Sequence, residues 1–345
     1  MRHVNKRVTI KDVAKEAGVS IATISYVLNK KGRVREETEE KVMAAVKKLN
    51  YIPDISARSL VSKSSKLLGV VIPQTEVDRQ LMLNNPFYSE FLSGVEYYAR
   101  KHNFQIIVSG TDIDKKYLDM ALERNMDGII VMGMYPDAFY EELKKSNIPI
   151  VLVDSYCNDH YFHSVQINDR YGAYLGTKHL IENGHEHIGI LTGKIKAGGV
   201  VEERYLGYQD ALKEYGLKTT KDLVFEGVVD FNYGIESAKE IIKNKKITAL
   251  FASADILALG VIKGLKGLGS KVPDDISVMG FDDIYISEIF DPGLTTVKQD
   301  IYKKGQKAVE IIVKSITQDN NAKQEIVLPV DIMERETVKR LSAKS

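Results

Sequence analysis

From Leu67 to Gly280 the chain alternates short apolar runs with longer stretches whose apolar residues recur at helical spacing, and that rhythm leaves few folds open. The runs are Leu67–Ile72, Gln105–Ser109, Gly128–Met132, Pro149–Val153, Ile188–Leu191, Leu250–Ala252 and Ser277–Gly280. Between them lie Ser89–Lys101, Ala138–Lys145, Gly172–Asn183, Glu203–Tyr215, Gly234–Lys243 and Ala258–Leu268, each periodic as a helix. Strands that are apolar throughout are buried on both faces, and regularly interposed helices supply the cover. This predicts parallel sheets with helices on both sides. The runs are too many for one small sheet, so two α/β lobes are expected.

The first 66 residues follow another pattern. Thr9-Ile10-Lys11-Asp12 has the spacing of a capping box, and Ile10, Val13, Ala14 and Ala17 then recur at helical intervals. Gly18-Val19-Ser20 predicts a tight turn, with Ser20 capping a second helix from about Ile21 to Leu28 that places Ile24, Val27 and Leu28 inward. A third helix fits Glu36 to Leu49, acidic in its first turn and closed by Lys47 and Lys48, as the helix dipole favours. Asn50–Asp54 ends it. Ile55–Leu60 allows one or two further turns, and Ser62–Lys66 reads as a polar linker. The expected division is a head over 1–54, a hinge over 55–66 and a core over 67–345.

Charge separates the same two parts. Residues 1–66 hold 15 Lys and Arg against 7 Asp and Glu, whereas the whole chain carries a net charge of only +1. A basic head on an acidic body fits a head that meets phosphate. No run of 18 apolar residues occurs, and the basic N-terminus lacks the apolar stretch of a signal peptide, so no membrane partner is expected. The single cysteine, Cys157, excludes an internal disulfide and fits a reducing, cytoplasmic setting.

Val8–Asn29 (VTIKDVAKEAGVSIATISYVLN) resembles the head of the lactose/galactose repressor family. The likeness continues through Val42–Pro53, Ala57–Leu60, Leu68–Val70, Asn85–Tyr88, Asp127–Ile130, Ile148–Asp154, Ile181–His185, Arg204–Tyr208, Asp255–Gly260, Val272–Asp283, Leu294–Asp300 and Glu334–Thr337. The resemblance implies an all-α helix-turn-helix head plus hinge helix, joined to a two-lobed α/β core like a periplasmic binding protein, with parallel sheets. It places lobe one at about 67–167 and 296–325, and lobe two at about 168–295 and 326–345. It also implies a transcriptional repressor that binds a pseudo-palindromic DNA operator as a homodimer and responds to a small-molecule effector in the cleft between lobes, most simply a sugar or sugar derivative.

By the same resemblance, Ile21, Ala22 and Tyr26 read base edges, Ser20, Thr23 and Asn29 position the head on phosphates, and Thr9 is a further DNA-binding residue. Ala57 and Leu60 belong to the hinge helix, with Leu60 wedging into the minor groove. Tyr26 stands where the family often has an arginine, and one hydroxyl with an aromatic face cannot copy two parallel bonds to guanine, so a different operator is expected. For the effector, Phe87, Tyr88 and Phe231 are aromatic walls and Asp154, Arg204 and Asp282 polar anchors. Carboxylates and a guanidinium can each make paired bonds to vicinal hydroxyls. Ala254 replaces a common asparagine, and Pro73–Asn85 is longer than the usual link, with Thr75–Leu83 extra.

Other readings find less support. Cys157 with His160 and His163, or His185 with His187, lack the spacing of a closed metal site, so no metal is expected. No phosphate-cradling glycine loop or nucleophile elbow follows a strand, so neither a cofactor nor an enzymatic activity is expected. A free solute-binding protein would not need the basic head. Control by a corepressor, such as a purine or a partner protein, stays open beside induction by a sugar. The tail Val338–Ser345 has no leucine heptad, so a dimer rather than a tetramer is expected.

Overall fold

The computed structural model describes residues 8–28, 34–51, 64–73, 82–110, 117–157, 161–318 and 322–341. They fall into two compact units, residues 1–65 and 66–345. In the first, α1 (Ile10–Ala17) begins as the sequence predicts. The Asp12 carboxylate accepts from the Thr9 N–H at 2.8 Å and from its hydroxyl at 2.7 Å. Gly18 turns the chain with φ 66°, where a side chain would be strained. Ser20 Oγ then accepts the Thr23 N–H at 3.1 Å and starts α2 (Ile21–Leu28). Helix α3 (Glu36–Lys48) completes a small core of Val13, Ala14, Ile24, Val27, Val42, Ala45 and Tyr51.

The second unit is built on two six-stranded sheets. The first contains β1 (Leu67–Ile72), β2 (Gln105–Gly110), β3 (Gly128–Met132), β4 (Ile150–Val153), β5 (His163–Ile167) and β11 (Glu325–Leu328), in the order β11-β5-β4-β3-β1-β2 and all parallel. Its helices are α4 (Pro86–Lys101), α5 (Tyr117–Glu123), α6 (Asp137–Leu143) and α12 (Ile301–Gln318). The second contains β6 (Ile188–Gly193), β7 (Val224–Gly227), β8 (Ala249–Ala252), β9 (Ser277–Asp282), β10 (Thr295–Gln299) and β12 (Val330–Met333), in the order β12-β10-β9-β8-β6-β7. Only β12 runs antiparallel to its neighbour. Its helices are α7 (Asp169–Glu182), α8 (Val200–Glu214), α9 (Phe231–Ile241), α10 (Asp255–Gly267) and α11 (Tyr285–Ile289). β1, β3, β4, β6, β8 and β9 are buried along all or nearly all of their length, as continuous apolar runs require.

The chain passes between the sheets three times, and two passages fall later than the sequence placed them. β10 pairs with β9, so residues 296–299 stay with the second sheet. β11 pairs with β5 through Leu328, so 326–328 belong to the first. Strand hydrogen bonding fixes these switches, and apolar spacing alone does not show which partner a short strand selects. Helix α12 returns to lobe one by packing on α4, where Gly94 faces the Tyr302 carbonyl and Gly305 faces the Phe91 carbonyl with no room for a Cβ. Among the described residues no helix is long and apolar enough to cross a membrane.

Candidate functional site

A cavity of about 380 Å³ lies at the carboxyl ends of both sheets, within the size range of small-molecule sites. Asp154 directly follows β4, Ser253 and Ala254 follow β8, and Asp282 ends β9. Open parallel sheets gather ligand-facing groups at such strand ends. Asp154 (φ 51°) and Asp282 (φ 123°) both hold positive-φ backbone, which costs energy for a residue with a Cβ and so marks a constrained turn into the cleft. Phe87 and Tyr88 enter from the first turn of α4, fixed by the Asn85 side chain accepting the Phe87 N–H at 3.1 Å. Their rings meet edge-to-face at 5.3 Å.

Beneath this surface runs a buried polar network. Arg204 donates through Nε to Asp169 at 2.7 Å, and through Nη1 to the Ser253 carbonyl at 2.6 Å and to Asp282 Oδ1 at 3.2 Å. Its guanidinium lies 3.6 Å from the Phe281 ring centroid. Asp282 Oδ1 also accepts from Gln299 Nε2 at 2.7 Å. Gln299 Oε1 accepts from Lys304 at 2.5 Å, and Lys304 donates to both Asp154 oxygens at 2.7 and 2.8 Å. Tyr156 donates to the other Asp169 oxygen at 2.8 Å. The chain of bonds thus runs from Asp154 in lobe one to Arg204 and Asp169 in lobe two. Arg204 Nη2 and Asp282 Oδ2 have no partner in it, and both residues line the cavity. The network thus leaves one guanidinium nitrogen and one carboxylate oxygen of two cavity-lining residues outside its bonds.

Burial dominates the electrostatics of Asp154 and Asp282. Burial pushes Asp282 up to about 6 against the pull of Arg204. Burial also lifts Asp154, with Lys304 opposing. Behind the site, burial and then the Asp282 charge lift Asp255 to about 7, although Thr296, Ser287 and the Ile284 N–H all donate to it. Burial would weaken the Arg204 proton, but Asp169 and Asp282 outweigh it and hold the guanidinium above its ordinary range. Tyr88 is held in its neutral form by burial and by the Asp154 and Asp282 charges.

Five of the six effector residues read from the sequence, Phe87, Tyr88, Asp154, Arg204 and Asp282, line one cavity. Phe231 does not. As the first residue of α9 it packs on the core with Lys263 5.5 Å from its ring, and Val229 lines the cleft instead. Arg204 and Asp282 are also more than ligand-facing groups, since each is nearly buried and holds the other. Lys304, Gln299 and Asp169 were not singled out. The available signal was a lysine on the buried stripe Ile301, Lys304, Gly305, Ala308 and Ile312 of α12. Met82, where the longer Pro73–Asn85 segment rejoins the described chain, also lines the cavity and accepts from the Tyr88 hydroxyl at 3.6 Å. Lys194 and Lys196 line it as well.

On the head, Ile21 and Tyr26 are 44% and 55% exposed, large apolar surfaces left outside the small core, and Ala22 is exposed between them. Ser20 and Thr23 share a hydroxyl contact of 2.9 Å at the start of the same helix, and Thr9 is exposed at the start of α1. Asn29, Ala57 and Leu60 lie outside the described residues, as does His160. His163 accepts the Gln324 N–H and contacts Ser315, and His185 contacts Thr248 and the Lys339 carbonyl, so both imidazoles serve packing.

Residues 9–54 match the bacterial regulatory proteins of the lacI family, and residues 177–338 match a periplasmic binding protein-like domain. The chain is 37% identical over 344 residues to the HTH-type transcriptional repressor PurR of Vibrio campbellii, covering 97% of this chain and 99% of that one. Its fold is similar to the Lac repressor dimer bound to operator and the anti-inducer ONPF, with TM-score 0.84, 29% identity, and coverage of 97% of this chain and 100% of that one. It is also similar to a transcriptional regulator from Enterococcus faecium with bound ribose, with TM-score 0.71, 28% identity, and coverage of 80% and 100%.

Proposed function

The chain belongs to the lacI family of bacterial regulatory proteins, and from that premise we propose which of its residues do the family's work. It is a DNA-binding transcriptional repressor that acts on operator DNA as a dimer under the control of a small-molecule effector. In our reading Ile21, Ala22 and Tyr26 reach base edges in the major groove. Thr9, Ser20, Thr23 and Asn29 contact phosphates, and Ala57 and Leu60 enter the minor groove from a hinge over 55–66. The exposed apolar face of α2 supports this, because such groups suit thymine methyls and have no core to join. With chromosomal DNA as partner, the protein works in the cytoplasm, and it recognises its ligand without transforming it.

The effector site is the interlobe cavity. The observation that carries this is that Phe87, Tyr88, Asp154, Arg204 and Asp282 line one cavity at the carboxyl ends of the strands. The ligand class is a sugar or sugar derivative, supported by the ribose held by the Enterococcus faecium relative. Control by a purine corepressor is the second reading, favoured by the higher identity to a repressor named PurR. A change in lobe arrangement on binding then passes to DNA through the hinge, and the effector need only favour one arrangement. Thermal-shift screening of sugars and purines, followed by operator binding with and without the hit, tests this. A sugar that releases operator supports the first reading, and a purine that tightens it supports the second. A response that survives unchanged in Asp282→Asn moves the effector site elsewhere.

A further inference from the structure

Strain at the end of β9 does not stop at Asp282. Asp282 and Asp283 hold φ of 123° and 57° in succession, a region that favours glycine and costs energy for each residue with a Cβ. Of the two, only Asp282 lines the cavity. Two clamps hold this turn. The first is Asp255, at the start of α10 directly after the cavity-lining Ser253 and Ala254. Asp255 is fully buried and does not itself line the cavity. Its Oδ2 accepts the Ile284 N–H at 3.0 Å and the Ser287 hydroxyl at 2.7 Å, and its Oδ1 accepts the Thr296 hydroxyl at 2.5 Å. A Cβ on Gly280 would run into Oδ1, so β9 passes against this carboxylate just before Asp282, and the Ile284 bond holds the chain just after Asp283. The second clamp is Arg335. Its Nη2 donates to Asp283 Oδ1 at 2.7 Å and its Nη1 to the Leu294 carbonyl at 2.8 Å, while Lys298 Nζ lies 3.7 Å from the other Asp283 oxygen.

We propose that Asp255 is a positioning residue for effector recognition: together with the Asp283–Arg335 pair, it holds the Asp282–Asp283 turn in the conformation that brings the Asp282 carboxylate to Arg204 and Gln299 at the cavity wall. A strained turn persists only where its surroundings over-determine it. The donors to Asp255 come from the turn itself, from α11 and from β10, so one carboxylate ties the end of β9 to three neighbouring segments. Hydrogen bonds to an ionised acceptor are stronger than neutral ones, and a buried carboxylate is costly unless they are made. Released from both clamps, the turn relaxes toward negative φ and Asp282 leaves Arg204. Asp255 thus acts through Asp282 and touches no ligand. This rests on the cavity being the effector site.

The test is a double-mutant cycle on the full chain, with Arg204→Met and Asp282→Asn read by melting temperature at pH 8. Residues that share a buried hydrogen bond couple, so the double variant should lose about 3–8 °C less than the two single losses added together. In an Asp255→Ala background this coupling should fall to about half or less, because Asp282 no longer meets Arg204. In an Asp255→Asn background it should stay near the wild-type value, since the amide oxygen still accepts from Ile284 and Ser287. A residue that merely stabilised α10 would lower every melting temperature and leave the coupling unchanged. Arg335→Met loosens the second clamp and should also reduce the coupling, which keeps the test open should Asp255→Ala fail to fold. Amide hydrogen exchange followed by mass spectrometry reads the turn directly. Peptides spanning 281–287 should exchange about tenfold faster or more in Asp255→Ala or Arg335→Met, with peptides from β6 unchanged. Undiminished coupling in these backgrounds, or wild-type exchange over 281–287, would overturn the proposal. None of these readouts uses an effector or operator, so their failure is distinct from failure of the effector-site reading, which shows in the Asp282→Asn operator response.

Discussion

Replacing Arg204 by methionine isolates what the buried network contributes. The side chain is nearly buried and its guanidinium bonds Asp169, Asp282 and the Ser253 carbonyl at 2.6–3.2 Å. Methionine fills much of the volume, so the main loss is electrostatic. Asp169 and Asp282 stay buried with no cation between them, and Lys304 is already committed to Asp154. Removing one partner of a buried pair costs about 3–5 kcal/mol, because the remaining charge is left unpaired. For a domain larger than about 150 residues, that lowers the melting temperature by roughly 10 °C. The loss must also depend on pH. Asp282 titrates near 6 with Arg204 present, and without Arg204 its carboxyl pKa rises further. A carboxyl whose pKa is higher folded than unfolded takes up a proton on folding, so the variant regains stability as pH falls from 8 toward 5. Melting followed by circular dichroism at pH 8 and pH 5, for wild type and Arg204→Met, measures both effects. A variant that melts within 2 °C of wild type at pH 8 (roughly 1 kcal/mol or less), or one with the same deficit at both pH values, would refute the reasoning.

Further outcomes follow from other parts of the molecule. Burial holds His163 down to about 4, so it stays neutral in the fold. Its contribution is complete above about pH 6.5 and is lost as pH falls to 4, a change of about 3 kcal/mol that His163→Gln should largely remove from the pH–stability curve. Gly305→Ala places a Cβ against the Phe91 carbonyl and the Val95 backbone and should cost about 1–3 kcal/mol by urea unfolding, by separating α12 from α4. Tyr26→Ala should change the ranking of operator variants at constant salt. Lysine-to-glutamine changes in the head should weaken all variants alike and flatten the salt dependence by about one unit of slope each, read by fluorescence anisotropy.

The sequence made the architecture legible where a residue's role is local. Continuous apolar runs gave the buried central strands, and Thr9–Asp12, Gly18 and Ser20 gave the head its turns, since caps depend on residues three or four apart. Short edge strands were not legible. β7, β11 and β12 have only four residues each, with exposed or half-buried positions, and whether β10 joins the first or second sheet is decided by pairing rather than by its own pattern. Helix α12 has no place among the helical stretches read from the sequence, and one of its buried positions is Lys304, a residue type ordinarily left at the surface.

The site divides in the same way. Phe87, Tyr88, Asp154, Arg204 and Asp282 carry recognisable neighbours in the chain, and they do meet at one cavity. What the chain order hides is how they are occupied. Asp154 and Lys304 are 150 residues apart, Arg204 and Asp282 are 78 apart, and Arg204 and Asp169 are 35 apart. An aspartate in a sequence shows an available acceptor, and only the fold shows whether a cation has already taken it. That difference separates the two carboxylates of this cleft. Asp282 accepts from Arg204 and Gln299 through one oxygen, while both oxygens of Asp154 accept from a lysine on the helix that returns the chain to lobe one. Two residues with the same side chain at the ends of equivalent strands thereby enter the network differently, Asp282 through Arg204 and Gln299, and Asp154 through Lys304, which reaches Asp282 by way of Gln299.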